Sequence, residues 1–417
     1  MNKKIGNLFK GDKVIWMVFF FLCMISIVEV FSASSGLTYK SQNYVGPIAY
    51  HTFTIIIGVA AAIVTLNVPC RYFKLLTPFM ILISGLMLLV VMLGGGESTN
   101  DASRWIRLGP FTIQPSEIAK GTIVLTVAQI LAAMQRENGA DRKAFKYILW
   151  FTIPACLAIG VENLSTAALL FAVVFLMMFI GLVPLRQLGK LFAVIAFMGI
   201  LAISMVMIVG HDRTGEEENQ QLTKTEQIEK PVKKSKIEKL LHRADTWKAR
   251  ILNFGKEDPM PKDYDLDKDA QVAHANIAIV GSNIIGKGPG KSVERDFLPQ
   301  AFSDFIYVII IEELGIIGAA FVAFLYIVLL YRAARIASRC ENNFPAFLVM
   351  GLALMLVLQA SFNMLVAVGI APVTGQPLPL ISRGGTSTII NCAYIGAMLS
   401  VSRSAKKRGG KMALKEI

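Results

Sequence analysis

The sequence predicts an all-α polytopic integral membrane protein with ten transmembrane helices. Of its 417 residues, 54% are hydrophobic and only 17% are charged, whereas a soluble domain carries about a quarter charged residues. The apolar residues fall in blocks of about 17–25, the length that crosses roughly 30 Å of hydrocarbon. The short basic segments between the blocks alternate in charge content, as the two sides of a membrane require. We therefore expect a single membrane domain over residues 1–417.

Ten apolar blocks justify the span count. We place them near residues 14–33, 49–68, 75–93, 116–134, 145–161, 163–182, 188–209, 303–331, 346–370 and 385–402. The first block resembles a cleavable signal, but it is longer than a signal core and further spans follow, so we interpret it as an uncleaved span. Only the short polar sequence "GVENLS" separates the fifth and sixth spans. Fusion of these two spans would give nine.

The charge of the short loops predicts the orientation. With ten spans and both termini in the cytoplasm, the cytoplasmic segments carry 21 Lys and Arg residues, and the short external loops carry only Lys40, Arg104, Arg107 and Arg383. This asymmetry follows the positive-inside rule, and a nine-span chain would lose it. The net charge of +13 is thereby explained by membrane topology, and we expect no nucleic-acid partner. The predicted location is the cytoplasmic (inner) membrane.

A long polar segment, residues 210–302, is predicted to be one large extracytoplasmic loop between the seventh and eighth spans. Within it, residues 237–252 repeat apolar side chains at helical spacing with Lys and Arg between them. This pattern favours an amphipathic helix, which lies either on the outer leaflet or on the protein itself. The sequence "QVAHANIAIVGSNIIGKGPGKS" predicts an apolar helix that ends in a Gly-rich turn.

Three acidic residues stand where the loop enters the eighth span. We expect Ser303 to cap this helix and Asp304 to lie in its first turn, at the external rim. In a straight helix Glu312 would lie about 12 Å deeper, and Glu313 would face away from Asp304. A carboxylate in hydrocarbon is costly and usually functional, although an acid in a first helical turn also complements the helix dipole. For Glu312 and Glu313 the sequence suggests only pairing with basic residues or shaping of a cavity.

A second candidate site lies in residues 101–121, "DASRWIRLGPFTIQPSEIAKG". The "QPSE" sequence marks a helix start, and Glu117 and Lys120 are neighbours on its first turns. Arg104, Arg107 and Lys120 place cations beside a helix N-terminus, a setting that suits phosphate. The alternative is an internal Glu117–Lys120 ion pair without a ligand, but an ion pair inside a membrane is itself a functional indication.

A third candidate is the Pro- and Gly-rich segment 369–385, "GIAPVTGQPLPLISRGG". Irregular backbone at membrane depth is tolerated only where protein buries it or water reaches it, so this segment predicts a cavity wall. Gln359 and Asn363 lie one turn apart on the ninth span and either line the same cavity or bond between helices. Histidine and cysteine residues are scattered, and we predict no metal site and no resident cofactor, with a dependence on divalent cations left open.

These motifs resemble those of a known family. The segments "RWIRLGPFTIQPSEIAKG", "GKGPGKSVERDFLPQAFSDFIYVIIIEELG" and "NMLVAVGIAPVTGQPLPLISRGGTS" are similar to three signature regions of the SEDS family, the shape, elongation, division and sporulation proteins. The opening "VEVFSASS" is also similar to the first span of that family. The resemblance extends from the first span to the tenth. Within the family we favour a division-type member, and the elongation type stays open because both types share these motifs.

The resemblance implies a peptidoglycan glycosyltransferase that polymerises lipid II, a disaccharide–peptide on undecaprenyl pyrophosphate. It implies that Asp304 is the catalytic acid and that Glu117 and Lys120 lie near it in the cavity. We add Arg104, Arg383, Gln359 and Asn363 as candidate substrate-binding residues from their positions. The implied partners are a class B penicillin-binding protein (a transpeptidase), divisome proteins and membrane lipid.

Two motifs depart from the family pattern. A "PDLGT"-like motif is replaced by "VENLST", so no role for an aspartate can be transferred to Glu162 or Asn163. An "ISYGG" motif is replaced by "ISRGG", which places Arg383 at the cavity mouth, where it would contact phosphate or the peptide stem. A lipid II flippase and a non-catalytic divisome scaffold remain alternative interpretations, because the same residues would suit a transport path or a partner surface.

Overall fold

The computed structural model describes residues 10–34, 46–93, 97–99, 102–108, 111–137, 139–209, 270–298 and 301–413. Eleven helices lie in these ranges: α1 Lys13–Ala33, α2 Gly46–Asn67, α3 Cys70–Met92, α4 Pro115–Ala133, α5 Arg142–Glu162, α6 Leu164–Ile180, α7 Leu185–Val209, α8 Ala270–Val280, α9 Ile306–Ala337, α10 Asn343–Ala367 and α11 Thr386–Ala413. The strands are β1 Glu97–Thr99, β2 Ala102–Leu108, β3 Phe111–Ile113, β4 Gln135–Arg136 and β5 Gly139–Ala140.

Each of the ten predicted spans coincides with a helix, and α8 is the apolar helix predicted near the end of the large loop. Within the described residues, seven helices are long and apolar enough to cross a membrane, namely α1 to α5, α9 and α10. The chain is therefore a helical, multi-pass membrane protein. The fifth and sixth predicted spans are separate helices, because the Asn163 side chain accepts a hydrogen bond from the Thr166 amide and caps α6.

Most of the helices form one compact unit, which comprises residues 1–185, 265–370 and 374–417. In this unit α10 packs against α4, α6, α9 and α11, while α11 packs on α2 and α1 packs on α9. The spanning windows of α10 and α4 are 67% and 61% buried, against 22–44% for the other five candidate spans. Among these seven candidate spans, the two that carry Glu117, Lys120, Gln359 and Asn363 are therefore the most buried. Residues 186–264 and 371–373 form a second unit, whose described part is mainly α7.

A small antiparallel sheet corrects the all-α expectation. Strands β1, β2 and β3 pair in that order, with Ile106 opposite Ile113 and Arg107 opposite Thr112. The sheet leads through Gln114 into α4, which begins at Pro115, as the sequence predicted. The amphipathic helix predicted at 237–252 and most of the predicted loop 210–302 lie outside the described residues.

The most consequential departure from the sequence prediction lies in α9. Gly315 has φ 70° and ψ −173°, so the helix is interrupted there. The Tyr307 hydroxyl donates a hydrogen bond to the Ala319 carbonyl at 3.1 Å, although twelve residues of straight helix would separate them by about 18 Å. The chain therefore reverses at Gly315. Residues 306–314, which we call α9a, fold back along residues 316–337, which we call α9b.

This reversal overturns the predicted depths of the acidic residues. Contacts along helix α1 show the relative positions of these residues. Asp12, just before α1 begins, binds Arg332 near the end of α9b, and Ser32, near the end of α1, binds Glu313. Ser26, about 9 Å back along α1 from Ser32, donates to the Ile381 carbonyl in the segment that also contacts the turn holding Asp304. Glu313 therefore lies at the apex of the hairpin, and Asp304 lies deeper, opposite to the predicted order.

Candidate active site

A buried ion pair joins α4 to α10. Lys120 Nζ lies 2.8 Å from Glu117 Oε1 and also donates to Gln359 Oε1 at 2.8 Å. Lys120 is completely buried and Glu117 is 3% exposed. The predicted i,i+3 pair is confirmed, and the Gln359 amide completes it by donating to the Pro377 carbonyl at 3.0 Å. In this arrangement the Lys120 ammonium is enclosed by protein.

One turn further along α10, Asn363 joins the cavity wall to the turn that holds Asp304. The Asn363 side-chain amide donates to the Asp304 carbonyl and to the Gln376 carbonyl, both at 2.7 Å. The Gln376 amide in turn donates to Thr166 Oγ1 at 2.6 Å. Gln359 and Asn363 thus connect α10 to the Pro- and Gly-rich segment, and Gln359 also bonds to Lys120 of α4, so the interhelical hydrogen-bonding alternative is the one observed.

Asp304 lies in a turn ahead of the helix, not in its first turn. Helix α9 begins at Ile306 with Phe305 as its N-cap, so the predicted Ser303 cap is wrong. Instead, the Ser303 hydroxyl donates to Asp304 Oδ1 at 2.9 Å, and the Ser303 carbonyl accepts from Ser382 Oγ at 2.6 Å. Asp304 is partly exposed. Its carboxylate therefore sits at the accessible edge of an otherwise buried polar network.

Arg383 lies next to the same turn. Its amide donates to the Phe302 carbonyl at 3.0 Å. Its guanidinium lies 5.4 Å from the ring of Phe302 and 5.8 Å from the ring of Tyr50. Flanking aromatic rings of this kind hold a guanidinium flat without using its hydrogen-bond donors. The backbone of Arg104 lies in β2, and its side chain lies outside the described residues.

An apolar cleft opens beside the first turn of α4. It lies among α3, α4, α5 and the start of α6, and it is lined by Leu88, Val91, Gln114, Pro115, Ser116, Ala158, Ile159 and Asn163. Ser116 is the immediate neighbour of the buried Glu117. An apolar chain in this cleft would therefore lie alongside the helix that carries the ion pair.

Sequence reasoning missed several residues that assemble the site. Gln376, Ser382 and Tyr50 reach it only through tertiary contacts, and their local sequence contains no signal for that role. Tyr394 donates from α11 to the Glu117 carbonyl at 2.8 Å. The turn at Gly315 did have a signal, because the predicted eighth span was 29 residues long, whereas about 20 suffice to cross the membrane.

The arrangement suits proton abstraction next to an anionic, lipid-linked substrate. A partly exposed carboxylate can accept a proton, a guanidinium beside it can bind phosphate, and an apolar cleft can hold a hydrocarbon chain. Among the described residues, no three His, Cys, Asp or Glu side chains converge as metal ligands. Dependence on a divalent cation stays a prediction that needs its own test.

Comparison with known proteins agrees with this interpretation. The family model of the FtsW, RodA and SpoVE proteins, described as "Cell cycle protein", matches residues 12–407. A protein of Aromatoleum aromaticum named "Probable peptidoglycan glycosyltransferase FtsW" is 28% identical over 402 residues, covering 93% of this chain and 87% of its own. A protein of Geobacter metallireducens with the same name is 29% identical over 400 residues and 95% of each chain.

Two solved structures share the fold. One, described as "Structural coordination of polymerization and crosslinking by a peptidoglycan synthase complex", has a TM-score of 0.66 at 24% identity and covers 95% of this chain and 98% of its own. The rod shape determining protein RodA of Thermus thermophilus has a TM-score of 0.62 at 21% identity, with the same coverage. Since the family model spans nearly the whole sequence, the chain belongs to the FtsW/RodA/SpoVE family of cell cycle proteins, the SEDS family.

Proposed function

We propose that this protein is a division-type peptidoglycan glycosyltransferase that polymerises lipid II into glycan strands for the septal wall. The observation that carries the proposal is the partly exposed Asp304 carboxylate at the edge of the buried network of Lys120, Glu117, Gln359 and Asn363. The relatives named peptidoglycan glycosyltransferase FtsW support the activity and the division role. An elongation role, as for RodA, is the second candidate and is favoured only by the shared fold.

The proposed topology has ten spans, cytoplasmic termini, and residues 210–302 outside the cytoplasmic membrane. The loop charges support it, with 21 cytoplasmic Lys and Arg against four in the short external loops. In this orientation the apex of the α9 hairpin faces outward, and Asp304 lies below it within the membrane domain. A substrate whose sugars lie outside and whose tail lies in lipid would reach Asp304 from the outer leaflet.

Asp304 would act as the general base. The hydroxyl of the acceptor sugar attacks the anomeric carbon of the donor, a new glycosidic C–O bond forms, and the C–O bond to the pyrophosphate breaks. The proton of the hydroxyl passes to Asp304 Oδ, and undecaprenyl pyrophosphate leaves with the bonding electrons. Direct attack from the opposite face inverts the anomeric centre. Ser303, which donates to Asp304 Oδ1 at 2.9 Å, would orient the carboxylate for this transfer.

Lys120 is given a different role from the one its sequence position suggested. Because the ammonium is fully buried between Glu117 and Gln359, it would bind the leaving pyrophosphate only after a rearrangement. We assign to it instead the task of holding α4 against α10, which keeps Gln359 and the neighbouring Asn363 in place. Asn363 then fixes the turn of Asp304 through its carbonyl.

Arg383 is the better candidate for the pyrophosphate. Its guanidinium lies near the Asp304 turn, against the rings of Phe302 and Tyr50, and a guanidinium can bind phosphate through two N–H groups at once. Arg104 is a second candidate from its sequence position. Part of the polyprenyl tail would lie against the cleft beside Ser116, whose lining is mainly apolar.

The proposed partner is a class B penicillin-binding protein, together with other divisome proteins. The structural similarity to a chain from a solved peptidoglycan synthase complex supports a partner of this kind. A polymerase and a transpeptidase held together would deliver new glycan directly to the crosslinking site. The assignment of Asp304 as the general base does not depend on which of these proteins is bound.

Incubation of the purified protein and its cognate transpeptidase with labelled lipid II tests the proposal. We expect glycan chains on a gel, with and without an added divalent cation chelator to define the cation dependence. Lipid II crossing vesicle membranes without any glycan product would instead identify a flippase. Absence of both activities in the complex would leave a scaffold and contradict the proposal.

A further inference from the structure

Two buried carboxylates at the apex of the α9 hairpin are wrapped by the Gly-rich turn that follows α8. Glu312 Oε1 lies 2.6 Å from Lys287 Nζ and accepts from the Val293 amide at 3.1 Å. Glu312 Oε2 accepts from the Ser292 hydroxyl and from the Glu294 amide at 3.4 Å. Glu312 is fully buried, so these bonds replace the water that the charge would otherwise need.

Glu313 is held in the same way from its other side. Its carboxylate accepts from the Gly290 amide at 2.8 Å, the Ser292 amide at 3.2 Å and the Ser32 hydroxyl of α1. Arg295 lies 4.0 Å from it and donates to Ser32 at 2.9 Å. Amides from neighbouring residues thus converge on two carboxylates, as in an anion-binding nest. We call Glu312, Glu313, Ser32 and residues 287–295 the apical clasp.

The backbone reinforces the clasp at the chain reversal. The Lys287 and Gly288 amides donate to the Glu312 and Glu313 carbonyls at 2.9 and 2.8 Å, which satisfies acceptors that the break at Gly315 would leave exposed. At Gly315 a Cβ would collide with the Ile284 carbonyl, so the turn crosses the helix at a point where only glycine fits. The α9 hairpin and the Gly-rich turn are therefore held together by backbone contacts as one structural unit.

We propose that Glu312 and Glu313 are positioning residues that set the depth of Asp304 by locking this piece. Helix α9a carries the constraint, because Asp304 lies nine residues before Glu313, about 13 Å away along a helix. The inference rests on the proposed function, because that function makes Asp304 the general base. The positioning of the hairpin by the two glutamates does not depend on that function. Neither glutamate touches substrate in this role.

Glutamine substitutions test the clasp with minimal change of shape. In Glu312→Gln and Glu313→Gln one acceptor oxygen becomes an NH₂ group that faces amide and ammonium donors, so the clasp loosens. Glu137→Gln is the control, since Glu137 is an exposed carboxylate in the turn between β4 and β5 and takes no part in the apical clasp. Lys287→Met removes one donor and keeps the amides, and we expect an intermediate effect.

Two readouts separate positioning from general stability. The first is the kinetics of lipid II polymerisation at a temperature where all variants are folded. We expect kcat to fall about tenfold to a hundredfold in both apical variants, as for a misplaced catalytic group, with KM within about twofold of wild type. The second readout is independent of activity. Cysteines at 303 and 382, whose parent serines are linked by a 2.6 Å hydrogen bond, are crosslinked with a short bifunctional thiol reagent.

Efficient 303–382 crosslinking in the wild-type and Glu137→Gln backgrounds, with a loss in both apical variants that parallels the loss of kcat, supports the proposal. Unchanged crosslinking and kcat in folded apical variants would overturn it, as would a loss of kcat with crosslinking intact. If the wild type makes no glycan while crosslinking still depends on the two glutamates, the positioning stands and the polymerase assignment fails. The chain that carries only its five native cysteines measures the amount of crosslinking that does not involve positions 303 and 382.

Discussion

At the scale of single residues, the buried Lys120 is the feature that most changes the interpretation. The i,i+3 spacing predicted its pair with Glu117 correctly because helical geometry alone brings the two side chains together. It could not predict Gln359 as the third member, since that contact depends on how α4 packs against α10. The same limit applies to Asn363, whose position on the inner face was predictable and whose bond to the Asp304 carbonyl was not.

Replacement of Lys120 tests how much its ion pair with Glu117 contributes to the free energy of unfolding. We expect Lys120→Met to destabilise the protein by about 3–5 kcal/mol, because it leaves the Glu117 carboxylate buried without its counter-charge. The double variant Glu117→Gln/Lys120→Met should recover most of that loss. Unfolding in detergent measures both free energies. Equal destabilisation by the single and double variants would show that the uncompensated charge is not the cause.

At the scale of elements, helices were predictable and the reversal within α9 was not. Apolar blocks and the "QPSE" start fix the positions of helices through hydrophobicity and backbone chemistry alone. The hairpin instead depends on a tertiary contact between Gly286 and Gly315, about thirty residues apart in sequence. A straight-helix assumption therefore reversed the predicted depths of Asp304 and Glu313.

The hairpin predicts that two glycines differ sharply in how well they tolerate substitution by alanine. Gly315→Ala should abolish stable folding or lower the melting temperature strongly, because φ is +70° and the added Cβ meets the Ile284 carbonyl. Gly85→Ala on α3 should be neutral or slightly stabilising, since a Cβ there meets nothing within 4 Å and alanine favours helix. Fluorescence-detected melting in detergent checks both, and tolerance of Gly315→Ala would refute the hairpin.

The start of α1 predicts a pH dependence. Burial alone would raise the pKa of Asp12, but hydrogen bonds from Arg332 and from the Ile15 and Val14 amides outweigh it, so the pKa lies below its ordinary value. A lowered folded-state pKa stabilises the fold above the unfolded pKa, and the contribution disappears as pH falls through the folded value. Melting of wild type and Asp12→Ala should therefore differ at neutral pH and converge at acidic pH. Asp12→Asn, which keeps the cap, should lie between them at neutral pH.

At the scale of the whole molecule, the fold class follows from composition, whereas the arrangement of helices does not. The apolar segments are long enough to cross the hydrocarbon of a membrane, and helices satisfy their own backbone hydrogen bonds there. The composition therefore predicts a helical membrane protein. Which helices are buried depends on packing: among the seven candidate spans α10 and α4 are the most buried, and Lys120 of α4 donates a hydrogen bond to Gln359 of α10.

The predicted orientation has a direct test by labelling. A cysteine introduced at Ser235 in the long loop should react with a membrane-impermeant maleimide in intact cells. A cysteine introduced at the C-terminus should react only after permeabilisation, because the basic tail from Arg403 onward is predicted to lie in the cytoplasm. Labelling of the C-terminal cysteine in intact cells would contradict ten spans with a cytoplasmic N-terminus.

The central claim is that Asp304 is the base of a lipid II polymerase, and one measurement tests it most directly. Wild type and Asp304→Asn, each purified with the transpeptidase, are given the same labelled lipid II, and the initial rates of glycan formation are compared. Loss of a general base predicts a rate about 10² to 10⁴ times lower, with melting temperature and lipid II binding unchanged. Equal rates of glycan formation by wild type and a folded Asp304→Asn variant would contradict the account.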